Sequence, residues 1–185
     1  MPAPLFVTFT AGSTGPWKID RIAPVIGDSL ASAPRLMITE APAFVGRTTS
    51  NIWSLRGATG NTRYTTKSEV AALAAKQEGL GRAAARCAAL IPIRKSEAWW
   101  ALAQDERRAI FEDSSQHIGI GMDYLPGIAR RLHHARELGE PFDFLTWFEY
   151  APEQSAAFED LVARLRATEE WRYVEREVDV RLVKL

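Results

Sequence analysis

Residues 142–183 of the chain are FDFLTWFEYAPEQSAAFEDLVARLRATEEWRYVEREVDVRLV. The aromatic and apolar residues of 142–150 indicate a strand, and residues 152–168 have the pattern of a helix. Residues 171–184 alternate in side-chain character with a period of two, which is typical of a long strand with one buried face. The three elements together predict a strand–helix–strand unit, in which one helix covers one face of a sheet.

A second block of similar length lies earlier in the chain. Residues 50–57 and 87–93 have the composition of strands. Residues 67–86 lie between them and predict a helix, which Thr66 or Ser68 could cap at its start. The sequence therefore predicts the same succession of elements twice.

Two such blocks, at about residues 52–93 and 142–183, predict an α+β fold. We expect a duplicated ferredoxin-like arrangement of the dimeric α+β barrel type, with antiparallel sheets flanked by helices. The chain is expected to form a single domain over residues 1–185. Its N-terminal ferredoxin-like half would cover residues 1–94 and its C-terminal half residues 95–185.

The rest of the chain gives weaker signals. The further expectations are strands at 5–10 and 35–39, turns within 13–33, a helical stretch at 98–116, and a helix after Pro126 that runs through Arg136. Residues 95–139 form a long insertion between the two halves of the scaffold. A long insertion in this position is more often a binding site than a spacer, so we expect the chemistry there.

Composition and charge exclude several classes of protein. Basic and acidic residues are equal in number, so the formal net charge is zero and nothing favours nucleic-acid binding. No apolar stretch is long enough to span a bilayer, and residues 1–15 lack the features of a signal peptide. A single cysteine, Cys87, excludes an intrachain disulfide and a multi-cysteine zinc or iron–sulfur site. We therefore expect a cytoplasmic protein without membrane or nucleic-acid partners.

The chain has three histidines, and one of them stands apart. His133 and His134 are adjacent and lie among charged residues, which indicates a solvated helix face. His117 is followed by isoleucines and glycines, a setting that fits a buried core residue as well as a ligand. No second histidine, cysteine or carboxylate stands at metal-ligand spacing from His117. Haem iron needs only one protein ligand here because the porphyrin supplies the others, so haem is the economical assignment if His117 binds a metal.

Several segments resemble the chlorite dismutase family. They are Leu90-Ile-Pro-Ile-Arg-Lys95-Ser-Glu-Ala-Trp99-Trp100, Gln116-His117 thirteen residues before Arg130, Leu138-Gly-Glu-Pro-Phe-Asp-Phe-Leu-Thr-Trp-Phe-Glu149, Leu165-Arg-Ala-Thr-Glu-Glu170-Trp171 and Glu175-Arg-Glu-Val-Asp-Val. The similarity extends from about Trp53 to the C-terminus and is specific in combination. The chain length and the lack of an N-terminal extension resemble the short, dimeric branch of the family.

The resemblance implies a site for haem b in the C-terminal half. It assigns His117 as the proximal iron ligand and Arg130 as the distal catalytic residue. Glu170 is the carboxylate expected to accept a hydrogen bond from the other ring nitrogen of His117, and Glu169 remains an alternative. The residues expected to hold the haem propionates are Asn61, Tyr64, Lys95 and Trp99.

The resemblance also implies a reaction. A chlorite O2-lyase with this site converts chlorite to chloride and dioxygen through a ferryl oxygen and a hypochlorite that Arg130 retains. It also implies a homodimer whose small-molecule partner is the chlorite anion. The alternatives are a coproheme decarboxylase of the same superfamily, a non-catalytic haem-binding protein, and a small interaction domain without haem. The short chain and Arg130 favour chlorite, although Arg130 also fits a solvated helix face.

Overall fold

The computed structural model of the chain describes residues 4–41, 51–60 and 64–185, and within these ranges it has eight β-strands and five α-helices. The strands are β1 (Phe6–Gly12), β2 (Trp17–Ile26), β3 (Arg35–Ala41), β4 (Trp53–Ala58), β5 (Cys87–Lys95), β6 (Ile128–His134), β7 (Phe144–Tyr150) and β8 (Val174–Lys184). The helices are α1 (Lys67–Lys76), α2 (Glu97–Ala101), α3 (Gln104–Arg108), α4 (His117–Asp123) and α5 (Ser155–Arg166), with a π-helix at Ala109–Ser114. In the described ranges, every helix is too short or too polar to span a bilayer.

The strands form one closed antiparallel barrel in the order β1-β3-β2-β8-β5-β7-β6-β4. A long ladder between β2 and β8 joins the two sets of four strands, and β4 meets β6 where Ala58 lies opposite His134. In the second set, α2 to α4 connect β5 to β6, and α5 connects β7 to β8. The fold is therefore α+β and antiparallel, as the sequence predicts, and its sheet closes on itself. The boundary expected after residue 94 lies within β5.

Apolar side chains pack in two clusters, one inside the barrel and one on its outer surface. Because side chains alternate along a strand, Leu90 of β5 belongs to the inner cluster and its neighbour Ile91 to the outer one. Helix α5 covers the outer cluster with one apolar stripe. Its buried residues are Phe158, Leu161, Val162 and Leu165, which recur at helical spacing.

Several elements differ from the sequence-based expectation in length or type. Helix α1 ends at Lys76 rather than near residue 86, because Gln77 is extended and Gly81 takes a positive φ of 83°. The helical stretch at 98–116 is divided among α2, α3 and the π-helix. Strand β2 lies where only turns were expected. The segment is a strand because it pairs along a long ladder with β8, and its local sequence pattern does not predict this pairing.

Strand β6 replaces the helix expected after Pro126. Its residues pair in continuous antiparallel register with β7, from Ile128 opposite Tyr150 to His134 opposite Phe144. The helix prediction was wrong because this polar segment has no clear apolar period, so pairing with β7 decides its conformation. A strand sends alternate residues to opposite faces, so Arg130 and His134 share one face of the barrel wall.

His133 and His134 are buried, which contradicts the solvated helix face expected for them. His133 is 0% and His134 7% exposed. His133 Nδ1 lies 2.9 Å from the carbonyl oxygen of Leu145, and Arg131 Nε donates to His133 Nε2 at 3.0 Å. His133 is therefore the neutral tautomer that donates through Nδ1. Burial lowers its pKa to about 4.

The burial of His133 predicts a loss of stability in mild acid. The unfolded chain takes up a proton near pH 6.5, whereas folded His133 does so only near its pKa of about 4. The unfolded state therefore binds more protons between these values, and stability falls as pH drops. Between pH 7 and pH 5 this residue alone is expected to remove about 2 kcal/mol of unfolding free energy.

Urea unfolding of the wild type and of His133→Gln at both pH values measures this effect. The glutamine variant removes the titrating group, so its stability is expected to change less over the same interval. Equal pH dependence in the two proteins would show that His133 is not the group responsible.

Candidate active site

A cavity of about 300 Å3 lies on the outer surface of the barrel. Strands β5, β6 and β7 contribute one wall, and α1, α4, α5 and the segment after α5 contribute the other. Most of the lining is apolar, including Ile91, Ile93, Phe144 and Phe148. A cavity of this kind can bury a flat apolar ligand and strengthens the electrostatic effect of each charged group inside it.

His117 stands at the helical wall of this cavity, as the first residue of α4. Its imidazole lies between two aromatic rings, Phe111 at 4.5 Å and Trp171 at 6.4 Å between ring centroids, both nearly parallel to it. Its Nδ1 is 2.7 Å from Oε2 of Glu170. Since a carboxylate is the acceptor, Nδ1 carries the proton and the lone pair of Nε2 is available to a metal.

Glu170 is the carboxylate of this pair, while Glu169 is exposed. The side chain of Glu170 is buried, and its Oε1 lies 2.7 Å from Nζ of Lys95. Burial opposes ionisation of Glu170, but the neighbouring His117 and Lys95 outweigh it and lower its pKa to about 2. Its backbone N–H donates to Oγ of Ser115 at 3.0 Å. Glu170 is therefore a fixed, ionised acceptor at neutral pH.

Lys95 has a different partner from the propionate that the resemblance implies. It is the last residue of β5 and only 2% exposed, and its ammonium is paired with Glu170 inside the protein. The ammonium also lies 4.4 Å from the ring centroid of Trp99, a cation–π contact. These contacts direct the charge of Lys95 towards the carboxylate that supports His117.

Trp99 carries a buried donor for which the described protein supplies no acceptor. The residue is 0% exposed, and its indole N–H has no hydrogen-bond partner in the described ranges. Tyr64 packs edge-on against it at 5.8 Å and lines the cavity. A carboxylate of a bound ligand would satisfy such a donor, which otherwise costs free energy. Asn61, expected beside Tyr64, lies outside the described residues.

Arg130 brings a positive charge into the cavity from the opposite wall. It lies on β6 directly opposite Phe148 of β7, so apolar surface surrounds its base. Burial lowers its pKa to about 10 and the charge of Glu112 opposes this, so the guanidinium stays protonated at neutral pH. The tip of Arg130 reaches Gly121 of α4, where an added Cβ would lie 1.8 Å from the guanidinium. The backbone carbonyl of Arg130 accepts a hydrogen bond from Gln77 at 2.8 Å.

The structure therefore brings His117, Glu170 and Arg130 to one cavity and places Lys95, Trp99 and Tyr64 beside it. Sequence reasoning did not find Phe111, Ser115 or Glu112, which contact His117, Glu170 and the start of α4 respectively. The only sequence signal for them is that they lie within six residues of His117. Their contacts depend on the π-helix and the turn that follows it, and neither element has a recognisable sequence pattern.

Comparisons with known proteins give a consistent result. A family model described as chlorite dismutase matches residues 35–184. The crystal structure of a dimeric chlorite dismutase from Nitrobacter winogradskyi has 57% sequence identity and a TM-score of 0.89, over 97% of this chain and 99% of that one. The chlorite dismutase of Candidatus Nitrospira defluvii in complex with imidazole has 20% identity and a TM-score of 0.68, over 98% and 91% of the two chains. The second likeness shows the fold alone.

Proposed function

The chain belongs to the chlorite dismutase family, and we propose that it is a haem b-dependent chlorite O2-lyase that converts chlorite to chloride and dioxygen. The observation that carries the proposal is the arrangement of three residues around one apolar cavity. The His117–Glu170 pair stands on the helical wall, and the positively charged guanidinium of Arg130 enters from the sheet. One wall thus offers a nitrogen ligand and the other a binding group for a small anion.

The residues at the cavity fit a haem b group. His117 would supply the axial nitrogen, and the N–H of Trp99 and the side chain of Tyr64 would hold the propionates. Asn61, which lies outside the described residues, is proposed for the same role from the family resemblance alone. Lys95, also expected at a propionate, is proposed to act mainly through its ion pair with Glu170. When bound, the haem supplies an iron that coordinates the substrate and exchanges electrons with it.

The residues behind His117 set its basicity and orientation. Ionised Glu170 accepts a hydrogen bond from the Nδ1–H group of His117 and increases electron donation through Nε2, which favours oxidised states of a bound metal. Lys95 compensates the buried negative charge, so the carboxylate stays ionised and in place. Phe111 and Trp171 restrict rotation of the imidazole between them.

Arg130 is proposed to bind the anion and to retain it during the reaction. Both oxygen atoms of the dioxygen product come from chlorite, so every fragment of the anion must remain in the cavity until the O–O bond has formed and chloride leaves. The overall change, chlorite to chloride plus dioxygen, needs no proton and no external electron. The protein therefore contributes charge and position, which a guanidinium with five N–H donors in an apolar setting can provide.

The assembly is proposed to be a homodimer, since the 57% identical relative is described as dimeric. The corresponding strand orders β4-β1-β3-β2 and β8-β5-β7-β6 support the proposal of two duplicated ferredoxin-like units. Since β5 belongs to the second set, the proposed boundary between the units moves from residue 94 to a position before Cys87. The sedimentation behaviour of the purified protein shows directly whether it is a homodimer.

An oxygen electrode tests the proposed reaction. Protein loaded with hemin is expected to release one dioxygen and one chloride for each chlorite consumed, far faster than hemin alone. Oxygen release no faster than with free hemin would contradict the proposal. Conversion of coproheme by peroxide under the same conditions would favour the decarboxylase instead.

Glu170→Gln is expected to weaken the support of the axial imidazole. A neutral amide is a poorer acceptor and leaves Lys95 without its counter-charge, so hemin affinity or turnover is expected to fall about 10- to 100-fold. The iron–histidine stretching band of the ferrous protein is expected to shift to lower frequency in resonance Raman spectra. Glu169→Gln is the matched control, because the adjacent carboxylate is exposed. Equal behaviour of the two variants would rule out the assigned role of Glu170.

A further inference from the structure

The backbone that leads into His117 has an unusual conformation. The π-helix ends at Ser114, and Gln116 takes a left-handed φ of 50°, after which α4 begins at His117. A residue with a Cβ pays about 1–2 kcal/mol for the left-handed region. Such a turn persists only if surrounding contacts hold it.

Glu112 supplies two of these contacts. Its carboxylate accepts the backbone N–H of Ile118 at 2.7 Å and that of Gly119 at 3.3 Å. The first N–H groups of a helix have no partner within the helix, and the side chain of Gln116 does not cap them. Glu112 therefore caps α4 from the preceding π-helix, and its negative charge suits the positive end of the helix.

The same turn is also tied to the partner of His117. Ser115 Oγ accepts the backbone N–H of Glu170 at 3.0 Å, and the backbone N–H of Gln116 donates to the carbonyl of Glu112 at 2.9 Å. Phe111, the residue before Glu112, stacks on the imidazole. The position of His117 relative to Glu170 thus depends on a turn that Glu112 closes.

We propose that Glu112 is a positioning residue for His117, which fixes the start of α4 so that the imidazole meets Glu170 on one side and the cavity on the other. This role of Glu112 rests on the proposed function, because the position of the imidazole matters for activity only if His117 ligates a metal.

Haem-free protein tests the cap itself. In Glu112→Ala, amide hydrogen exchange at Ile118 and Gly119 is expected to accelerate at least about tenfold, since charge-assisted hydrogen bonds are lost. Asp113→Ala is the matched control, because this exposed residue carries the same charge in the same π-helix. Glu112→Gln keeps one acceptor oxygen, so its exchange rates at Ile118 and Gly119 are expected to lie between those of the two alanine variants. It also serves if the alanine variant does not fold.

Hemin-loaded protein tests the consequence for His117. The iron–histidine band of Glu112→Ala is expected to shift or broaden, and hemin is expected to dissociate about tenfold faster, with Asp113→Ala unchanged. Faster amide exchange with an unaltered iron–histidine band and unaltered hemin loss would overturn the proposal, because the cap would then be only structural. Unaltered exchange would overturn it as well. Failure of the wild type to bind hemin would instead count against the proposed function.

Discussion

His117→Ala is expected to leave a folded protein that binds hemin more than about 100-fold more weakly than the wild type, since loss of an axial ligand exceeds the usual cost of losing its hydrogen-bond partner. Apolar contacts with the cavity would remain, but the axial bond and its support by Glu170 would be lost. The measurement is the ratio of haem to protein after gel filtration, followed by a hemin titration of the haem-free form.

His134→Ala is the control for this experiment. His134 also lines the cavity, but on the sheet wall, where it packs edge-on against Phe144. Its loss is expected to leave the haem content close to that of the wild type. Added imidazole is expected to restore part of the hemin affinity of His117→Ala. Stoichiometric haem in His117→Ala, or its loss in His134→Ala only, would refute the ligand assignment.

Arg130→Ala is expected to keep its haem and to lose about 100- to 1000-fold in turnover, the usual cost of removing a group that stabilises developing negative charge. The variant is also expected to lose activity faster during turnover, because hypochlorite leaves the cavity and oxidises the protein. Initial oxygen-electrode rates and the yield of a hypochlorite-trapping dye measure the two effects.

Two further variants define what Arg130 contributes. Arg130→Lys keeps the charge without the planar fork of donors, so its turnover is expected to lie between the alanine variant and the wild type. Arg164→Ala removes an equal charge from the surface of α5, where the residue is paired with Asp123, and is expected to change little. Full turnover in Arg130→Ala without additional trapped hypochlorite would be incompatible with the assigned role.

Helix α5 was predicted from apolar residues at helical spacing, and β7 from its aromatic and apolar composition. Strand β8 was predicted from its alternating side chains, but the structure also buries Glu177 and Asp179 on the face expected to be polar. Strand β6 was missed because Arg130, Arg131, His133 and His134 give it a polar appearance, although pairing with β7 buries both histidines. Both histidines are buried only because the barrel closes around β6, and a local sequence pattern does not predict this closure.

The candidate site was predicted through the family resemblance, and the comparisons confirm the family. His117, Glu170 and Arg130 were named from matching segments, and the structure brings them to one cavity. The contact of Lys95 with Glu170 was not foreseen, because the two residues lie 75 positions apart and meet only when β5 and β8 pair. The expected roles of all the site residues stay predictions, namely those of His117, Arg130, Glu170, Lys95, Asn61, Tyr64 and Trp99.

A hemin titration of the purified haem-free protein tests whether one porphyrin binds in this cavity with His117 as its axial ligand. We expect a Soret band that grows to saturation at one hemin per chain, with an iron–histidine band once the iron is reduced. A polypeptide that gains no such band when hemin is supplied would contradict it.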